Sequence, residues 1–320
     1  MSDHYPEPRI DPRIDFLVGD CLEVFPTLPR DRVDLVFCSP PYEDRRTYSM
    51  GYALAGEHWV RWAVARFEAC LEVVKPGGLV AWVVNGQQDR FRWSATPALL
   101  MADLHRRGAC LREPPIFARV GIPGSGGRDW LRNDRELIVC ATRGRGPLAW
   151  ADNLAMGAPA KYSAGGNLSH RTADGRRKNS GATSTPRKYR VPDISNPGNL
   201  IRCKVGGGVM GDRLCHANEA PFPERLAEFF IRSFCPPGGT VLDPFAGSGT
   251  TAAVAKRWGR DAIAVDIRHS QIRLARRRVA RMVAHSGPAE LEAARLAKLE
   301  AERAAAEAEL QKTTIQEASA

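Results

Sequence analysis

Near-continuous apolar runs occur at Ile14 to Val18, Val33 to Cys38, Leu79 to Val84, Thr240 to Leu242 and Ala262 to Val265. Continuity rather than alternation marks strands buried on both faces, as in a parallel sheet. Between them the period changes. Glu57 to Val74 sets Trp59, Ala63, Phe67, Leu71 and Val74 on one helical face, and Lys75-Pro76-Gly77-Gly78 breaks the pattern before the next strand. Pro236-Pro237-Gly238-Gly239 repeats that device ahead of Thr240. Strands alternating with helices predict an α/β fold built on a doubly wound sheet.

From about Gly144 to Cys215 this patterning lapses into Gly, Ser, Asn, Pro and basic residues. Between Met156 and Cys215 there are eleven Lys and Arg against three Asp, which holds most of the formal net charge of +10 in one stretch. A loop this long inside a compact domain usually carries function, and its charge suits a polyanion. The candidate nucleic-acid contacts are Arg171, Arg176, Arg177, Lys178, Arg187, Lys188 and Arg190. The expected organisation is a domain in two parts, 1–143 and 216–285, with an insertion at 144–215 and a charged helical tail at 286–320, rich in Ala, Glu, Lys and Leu.

Eight cysteines never come closer than the twelve positions from Cys203 to Cys215, so the spacing offers no CxxC metal or redox motif, and they read as reduced, buried small hydrophobes. Neither a signal peptide nor a membrane span is legible, and a cytoplasmic location is expected.

Two loops carry chemistry. Thr240-Val241-Leu242-Asp243-Pro244-Phe245-Ala246-Gly247-Ser248-Gly249-Thr250-Thr251 runs from a strand through a glycine turn into a helix, and Asp266 ends the next strand. That is the layout in which α/β folds hold a nucleoside, an acidic residue accepting from ribose hydroxyls. The third glycine of a dinucleotide fingerprint is missing, which argues against a pyrophosphate and for a cofactor without phosphate. The other loop, Ser39-Pro40-Pro41-Tyr42, follows the strand ending at Cys38. Its prolines remove donors, leaving Ser39 Oγ and the Pro40 carbonyl as acceptors for an exocyclic amino group, while Tyr42 supplies a ring for stacking, a task a phenylalanine would largely perform as well.

Together these loops closely resemble the catalytic and cofactor motifs of bacterial and phage DNA amino-methyltransferases, and their order, catalytic motif first, is similar to the beta group, whose target-recognition region lies between the two. Gly19-Asp20-Cys21, Leu71 to Gly78 and Ala220-Pro221-Phe222-Pro223-Glu224 resemble further family motifs. The resemblance implies a Rossmann-like methyltransferase sheet with an inserted target-recognition region and a C-terminal helix. It also implies S-adenosylmethionine as cofactor and double-stranded DNA as partner, with a homodimer and a cognate restriction enzyme as further candidates. By the same resemblance Asp243 and Gly247 line the methionine part of the cofactor, Asp266 holds its ribose, Asp20 and Phe222 lie nearby, and Cys21, Pro244, Phe245, Gly249 and Thr250 complete the set. Ser39, Pro40, Pro41 and Tyr42 form the catalytic set, and no metal is implied.

Ser at position 39 is commoner among cytosine-N4 enzymes and Asp among adenine enzymes, so the expected target is cytosine N4, with adenine N6 as the alternative. Methylation at cytosine C5 would need a Pro-Cys nucleophile, which the chain lacks. A non-catalytic cofactor- and nucleic-acid-binding protein leaves both intact loops unexplained. An oxidoreductase leaves Ser39 to Tyr42 without a task, and an RNA or protein-glutamine methyltransferase is the nearest rival.

Overall fold

The computed structural model describes residues 11–43, 53–89, 91–121, 129, 131–159, 169–179, 194–206 and 208–282. Nine strands form the main sheet among these residues. They are β1 (Ile14–Val18), β2 (Val33–Cys38), β3 (Val74–Val84), β4 (Cys110–Arg112), β5 (Ile116–Val120), β6 (Arg135–Thr142), β7 (Leu200–Lys204), β8 (Thr240–Asp243) and β9 (Asp261–Asp266). Their order is β1-β9-β8-β2-β3-β6-β5-β7, with β4 also paired to β6. The run from β1 to β3 is parallel, and β6 enters antiparallel to β3 and to β5.

Alternate residues of the central strands feed two cores, as expected of a sheet covered on both faces. Leu35 and Phe37 face a cluster with Leu226, Phe230, Ile231 and Val254 of the helices α3 (Glu224–Phe234) and α4 (Thr250–Arg257). Val36 and Cys38 face Trp59, Val60, Phe67 and Leu100, from α1 (Gly56–Val73) and α2 (Thr96–Arg106). Phe37 stacks on Phe230 at 4.7 Å between centroids, and burying one such side chain stabilises the fold by roughly 1.5–3 kcal/mol. The helix α5 (His269–Arg281) closes the described chain.

Three differences from the sequence expectation have physical reasons. The helix expected to reach Val74 ends at Val73, and Lys75-Pro76-Gly77-Gly78 is not a linker but part of β3, absorbed by a register shift against β2 between Val33 and Leu35. Lys75 Nζ donates to Asp34 Oδ1 at 2.7 Å and holds that irregularity in place. The segment expected to be an insertion returns to the main sheet, where β7 pairs parallel with β5. Lastly, Gly249, expected among the cofactor residues, has a packing role as well: a Cβ there would lie 2.7 Å from Ala275 Cβ, so this glycine lets α4 approach α5. The expected C-terminal helix, and Arg187, Lys188 and Arg190, lie outside the described residues.

Gly249 also has φ +76°, so Gly249→Ala combines a left-handed backbone with a steric clash. We expect it to lower stability by about 2 to 4 kcal/mol in denaturant unfolding, and a variant as stable as the parent would contradict this packing.

Candidate functional site

Strands β2 and β8 lie side by side, with Val241 opposite Leu35 and Leu242 opposite Val36. The two motif loops therefore leave the same edge of the sheet next to each other, where the strand order diverges and α/β folds bind ligands. They line one cavity of about 670 Å³, within the usual range for a cofactor and substrate site. Ser39, Pro40, Pro41 and Tyr42 are all on its wall, as are Asp20, Cys21, Phe222, Pro244, Phe245, Gly247, Thr250 and Asp266. Asp243 and Gly249 are absent from it. Asp243 is 2% exposed beneath Pro244, and burial pushes its carboxyl up to about 7, with the charge of Asp266 adding to the rise and bonds from Thr251 and Phe245 offsetting part of it.

The glycine loop has already committed several of its amides. Phe245 N–H donates to Asp243 Oδ1 at 3.0 Å, Gly247 N–H to Asp266 Oδ2 at 3.0 Å, Ala246 N–H to the Val265 carbonyl at 2.8 Å and Gly249 N–H to the Ala246 carbonyl at 2.7 Å. A loop spent in this way makes a poor cradle for a diphosphate, whose binding relies on open amides. The acids on the wall, Asp20, Glu136, Glu219 and Asp266, instead suit a ligand with positive charge and hydroxyl groups. Gly247 has φ +49°, and a Cβ there would lie 2.7 Å from Asn218 Nδ2, so Asn218 is part of the loop's support.

Asp20 caps the helical turn Cys21–Val24 by accepting from Leu22 N–H at 2.9 Å, and it pairs with Arg66 at 2.5 Å. Burial alone would raise its carboxyl, but the Leu22 amide and the Arg66 guanidinium hold it below the ordinary value. Arg66 in turn lies over the Trp62 ring at 4.6 Å, and Trp62 packs on Phe245. Trp62 and Arg66 come from α1, whose sequence pattern identified only a core helix.

The catalytic loop is held from behind. The Pro41 carbonyl accepts from Trp59 Nε1 at 2.8 Å. Glu43, 3% exposed, accepts from Gly56 N–H at 3.0 Å, Gln87 N–H at 3.1 Å and Thr96 Oγ1 at 2.9 Å, and also from Ser94. Ser39 Oγ donates to the Tyr42 hydroxyl at 3.2 Å, and that hydroxyl donates to Glu136 Oε2 at 2.6 Å. Cys38 is buried, burial raises its thiol, and it is no candidate nucleophile. All eight cysteines are free thiols.

Beneath the glycine loop, Arg278, with no exposed surface, donates to Ser248 Oγ at 3.2 Å, Thr250 Oγ1 at 2.8 Å and Glu224 Oε1 at 2.6 Å. Glu224 also takes Arg257 at 2.5 Å and the Asp212 amide at 3.1 Å. Burial alone would raise the Glu224 carboxyl, yet the two guanidiniums hold it below its ordinary value.

Of the expected nucleic-acid contacts, Arg171 and Arg177 pair across a small antiparallel hairpin, Ser169–Arg171 with Arg177–Asn179, which also carries Lys178. Arg176 at its turn is exposed. Among the described residues no cluster of His, Cys, Asp or Glu could hold a metal, and no helix is long and apolar enough to cross a membrane.

A family model described as DNA methylase, for N6 and N4 enzymes, matches residues 33–277. The Type II methyltransferase M.BglII of Bacillus subtilis is 26% identical over 253 residues, covering 76% of this chain but 62% of that protein. The orphan methyltransferase M.BamHII of Bacillus amyloliquefaciens is 24% identical over 259 residues, covering 78% of this chain and 86% of it. In fold, the chain is similar to the PvuII cytosine-N4-specific DNA methyltransferase, with TM-score 0.61, 18% identity, and 86% and 90% of the two chains covered. It is also similar to a protein of Thermus thermophilus solved in complex with S-adenosyl-L-methionine, with TM-score 0.53, 23% identity, and 86% and 98% covered.

Two stability predictions follow from the buried acids. Glu224→Ala strands the Arg278 charge and should cost about 3 to 5 kcal/mol in urea unfolding, whereas a loss under 1 kcal/mol would show that the network contributes little. Asp243 keeps its proton in the folded state up to about 7, while the unfolded chain releases it near the ordinary value of about 4. Between those two values the folded state binds more protons, so this group makes stability fall as pH rises. Asp243→Asn should therefore gain stability relative to the parent between pH ~4.5 and ~7, and a constant difference across that range would refute the shift.

Proposed function

The chain belongs to the N6/N4 DNA methylase family, and from that membership we propose that it transfers a methyl group from S-adenosylmethionine to the exocyclic amino nitrogen of a flipped base in duplex DNA, cytosine N4 being the target. The observation that carries this reading is the one cavity shared by Ser39 to Tyr42 and the glycine loop, through Pro244 to Ser248 and Thr250. One loop offers acceptors and a ring, the other a cradle whose amides are closed to diphosphate. Bound there, the cofactor would supply an activated methyl group on a sulfonium.

The residues of this chain divide the work. Asp266 lines the cavity with Oδ2 taking the Gly247 N–H and Oδ1 taking the Arg268 N–H and guanidinium, so it is oriented, and Oδ2 keeps a lone pair for a ribose hydroxyl. Phe245 and Trp62 give an apolar wall, and Asp20 an acceptor on the same side. An aromatic amine is a poor nucleophile because its lone pair is delocalised into the ring. Ser39 Oγ, accepting from an N–H, favours localisation of that pair and stabilises positive charge as the bond forms. Serine at this position is the commoner residue among the cytosine-N4 enzymes that the chain resembles, which supports cytosine as the base. The basic hairpin around Arg176 supplies phosphate contacts, which set affinity without reading sequence.

Expression in a host without its own methylases, followed by digestion of the DNA and mass spectrometry of the nucleosides, tests the reading. N4-methylcytosine is expected. N6-methyladenine alone would overturn the base assignment, and no methylated base would overturn the activity. Ser39→Ala should lower turnover on the order of 10² with cofactor affinity unchanged. Asp266→Ala should weaken S-adenosylmethionine binding by about 2 to 4 kcal/mol in calorimetry, and unchanged affinity would remove its assignment to the ribose.

A further inference from the structure

Strand β6 begins where β3 ends. Its antiparallel register puts Leu137 opposite Val84, so Glu136 stands beside the end of β3 at the edge that carries Ser39. On the far side β5 sets Phe117 opposite Glu136, and Arg119, two residues on and on the same face, reaches diagonally to Glu136 Oε1 at 3.3 Å. Glu136 is 9% exposed, yet it lines the cavity with Ser39, Tyr42 and Arg119. Its two oxygens have different surroundings, one facing a guanidinium and the other accepting the Tyr42 hydroxyl at 2.6 Å.

The hydrogen bonds run one way, from Ser39 Oγ to Tyr42 Oη to Glu136 Oε2. A tyrosine that only stacked would need no such partners, and burying a carboxylate against a phenol is costly unless the contact has a use. We propose that Ser39, Tyr42 and Glu136 form a proton outlet for the methylated amine, and that Tyr42 acts through its hydroxyl as well as its ring. The inference rests on the amine-methylation reading above.

The reaction requires such an outlet. As the amino nitrogen bonds to the methyl carbon, the carbon–sulfur electron pair leaves with the sulfur, and the nitrogen is left cationic with one proton too many. That proton passes to Ser39 Oγ as the Ser39 proton passes to Tyr42 Oη and the Tyr42 proton passes to Glu136 Oε2. Charge balances: the cation on nitrogen is discharged and the carboxylate becomes a carboxylic acid. The hydroxyls of Ser39 and Tyr42 end as they began, each having gained and lost one proton. Arg119 pairs with Glu136 and orients it beforehand, and product release opens the acid to water in the cavity, which resets it. Glu136 thus acts through Tyr42, as a positioning residue and terminal acceptor.

Single-turnover methylation by the full chain on duplex DNA, for the parent, Tyr42→Phe, Glu136→Gln and the double variant, tests this. Tyr42→Phe removes one oxygen and keeps the ring. The relay predicts that each single variant slows the methyl-transfer step on the order of 10², that the double variant is no slower than either, and that a solvent deuterium isotope effect accompanies transfer only in the parent. Binding of S-adenosylmethionine and DNA, measured by calorimetry and anisotropy, should be unchanged, so the loss falls on kcat and not KM. Glu136→Ala adds a second arm in which formate, a small carboxylate able to enter the vacated space, should restore rate. A Tyr42→Phe variant as fast as an active parent overturns the relay while leaving the methyltransferase reading intact. An inactive parent fails that reading first.

Discussion

A guanidinium sealed from solvent holds the cofactor half of the molecule together. Arg278 sits where α5, the glycine loop and the start of α3 meet, and its contacts to Glu224, Ser248 and Thr250 join segments that are far apart in the chain. An ion pair taken from water contributes little net stability, because desolvation consumes most of the attraction. Its effect here is positional. With Glu224 also holding Arg257 and the amide of Asp212, the loop has little freedom to open toward solvent, and a cofactor arriving there meets a surface already in place.

The catalytic half depends on a different constraint, the register of the sheet. Parallel pairing of β2 with β8 puts the acceptor loop and the glycine loop at one edge, and antiparallel entry of β6 brings a carboxylate to the same edge from the opposite direction. A purely parallel sheet would place only strand ends there. The reversed strand contributes its beginning, and so a residue that no parallel strand could present at that level. One-residue slippage of β6 would turn Glu136 to the other face, so the proposed outlet is only as well defined as that pairing.

How much of this was legible follows from the kind of signal each residue leaves. The strand Val33–Cys38 was bounded to the residue because a doubly buried strand leaves a near-continuous apolar run, and Ile14–Val18 was bounded equally well although, at the end of the sheet, it is only half-buried. The strand Leu200–Lys204 was lost in a basic segment because an outer strand alternates, here with Ile201 and Cys203 inward and Arg202 and Lys204 outward. The two motif loops were readable because their chemistry is local: prolines, glycines and an acid at fixed spacing. Glu136 was not, since nothing beside it in sequence marks it, and it meets Tyr42, 94 residues away, only because β2 and β6 flank β3 in the sheet. Trp62 and Arg66 were hidden for a simpler reason, in that a helix with one buried face gives no sign of which remaining residues overlook a cavity. Asp243 was legible as part of the motif, but not that its buried carboxyl accepts the Phe245 amide and so shapes the loop from within.

The clamp at Glu43 bears on how such a protein can change. One carboxylate, directly after the catalytic tetrapeptide, fastens Gly56 at the head of α1 as well as Gln87 and Thr96 beyond β3. Residues 43 and 56, thirteen positions apart in the chain, therefore meet at one fixed point, and the stretch after β3 is tied to it. Loss of the acid would release the catalytic tetrapeptide, the head of α1 and the start of α2 together, because three separate segments share it as their acceptor. The position that follows Tyr42 therefore leaves little room for exchange during divergence, although it touches no substrate.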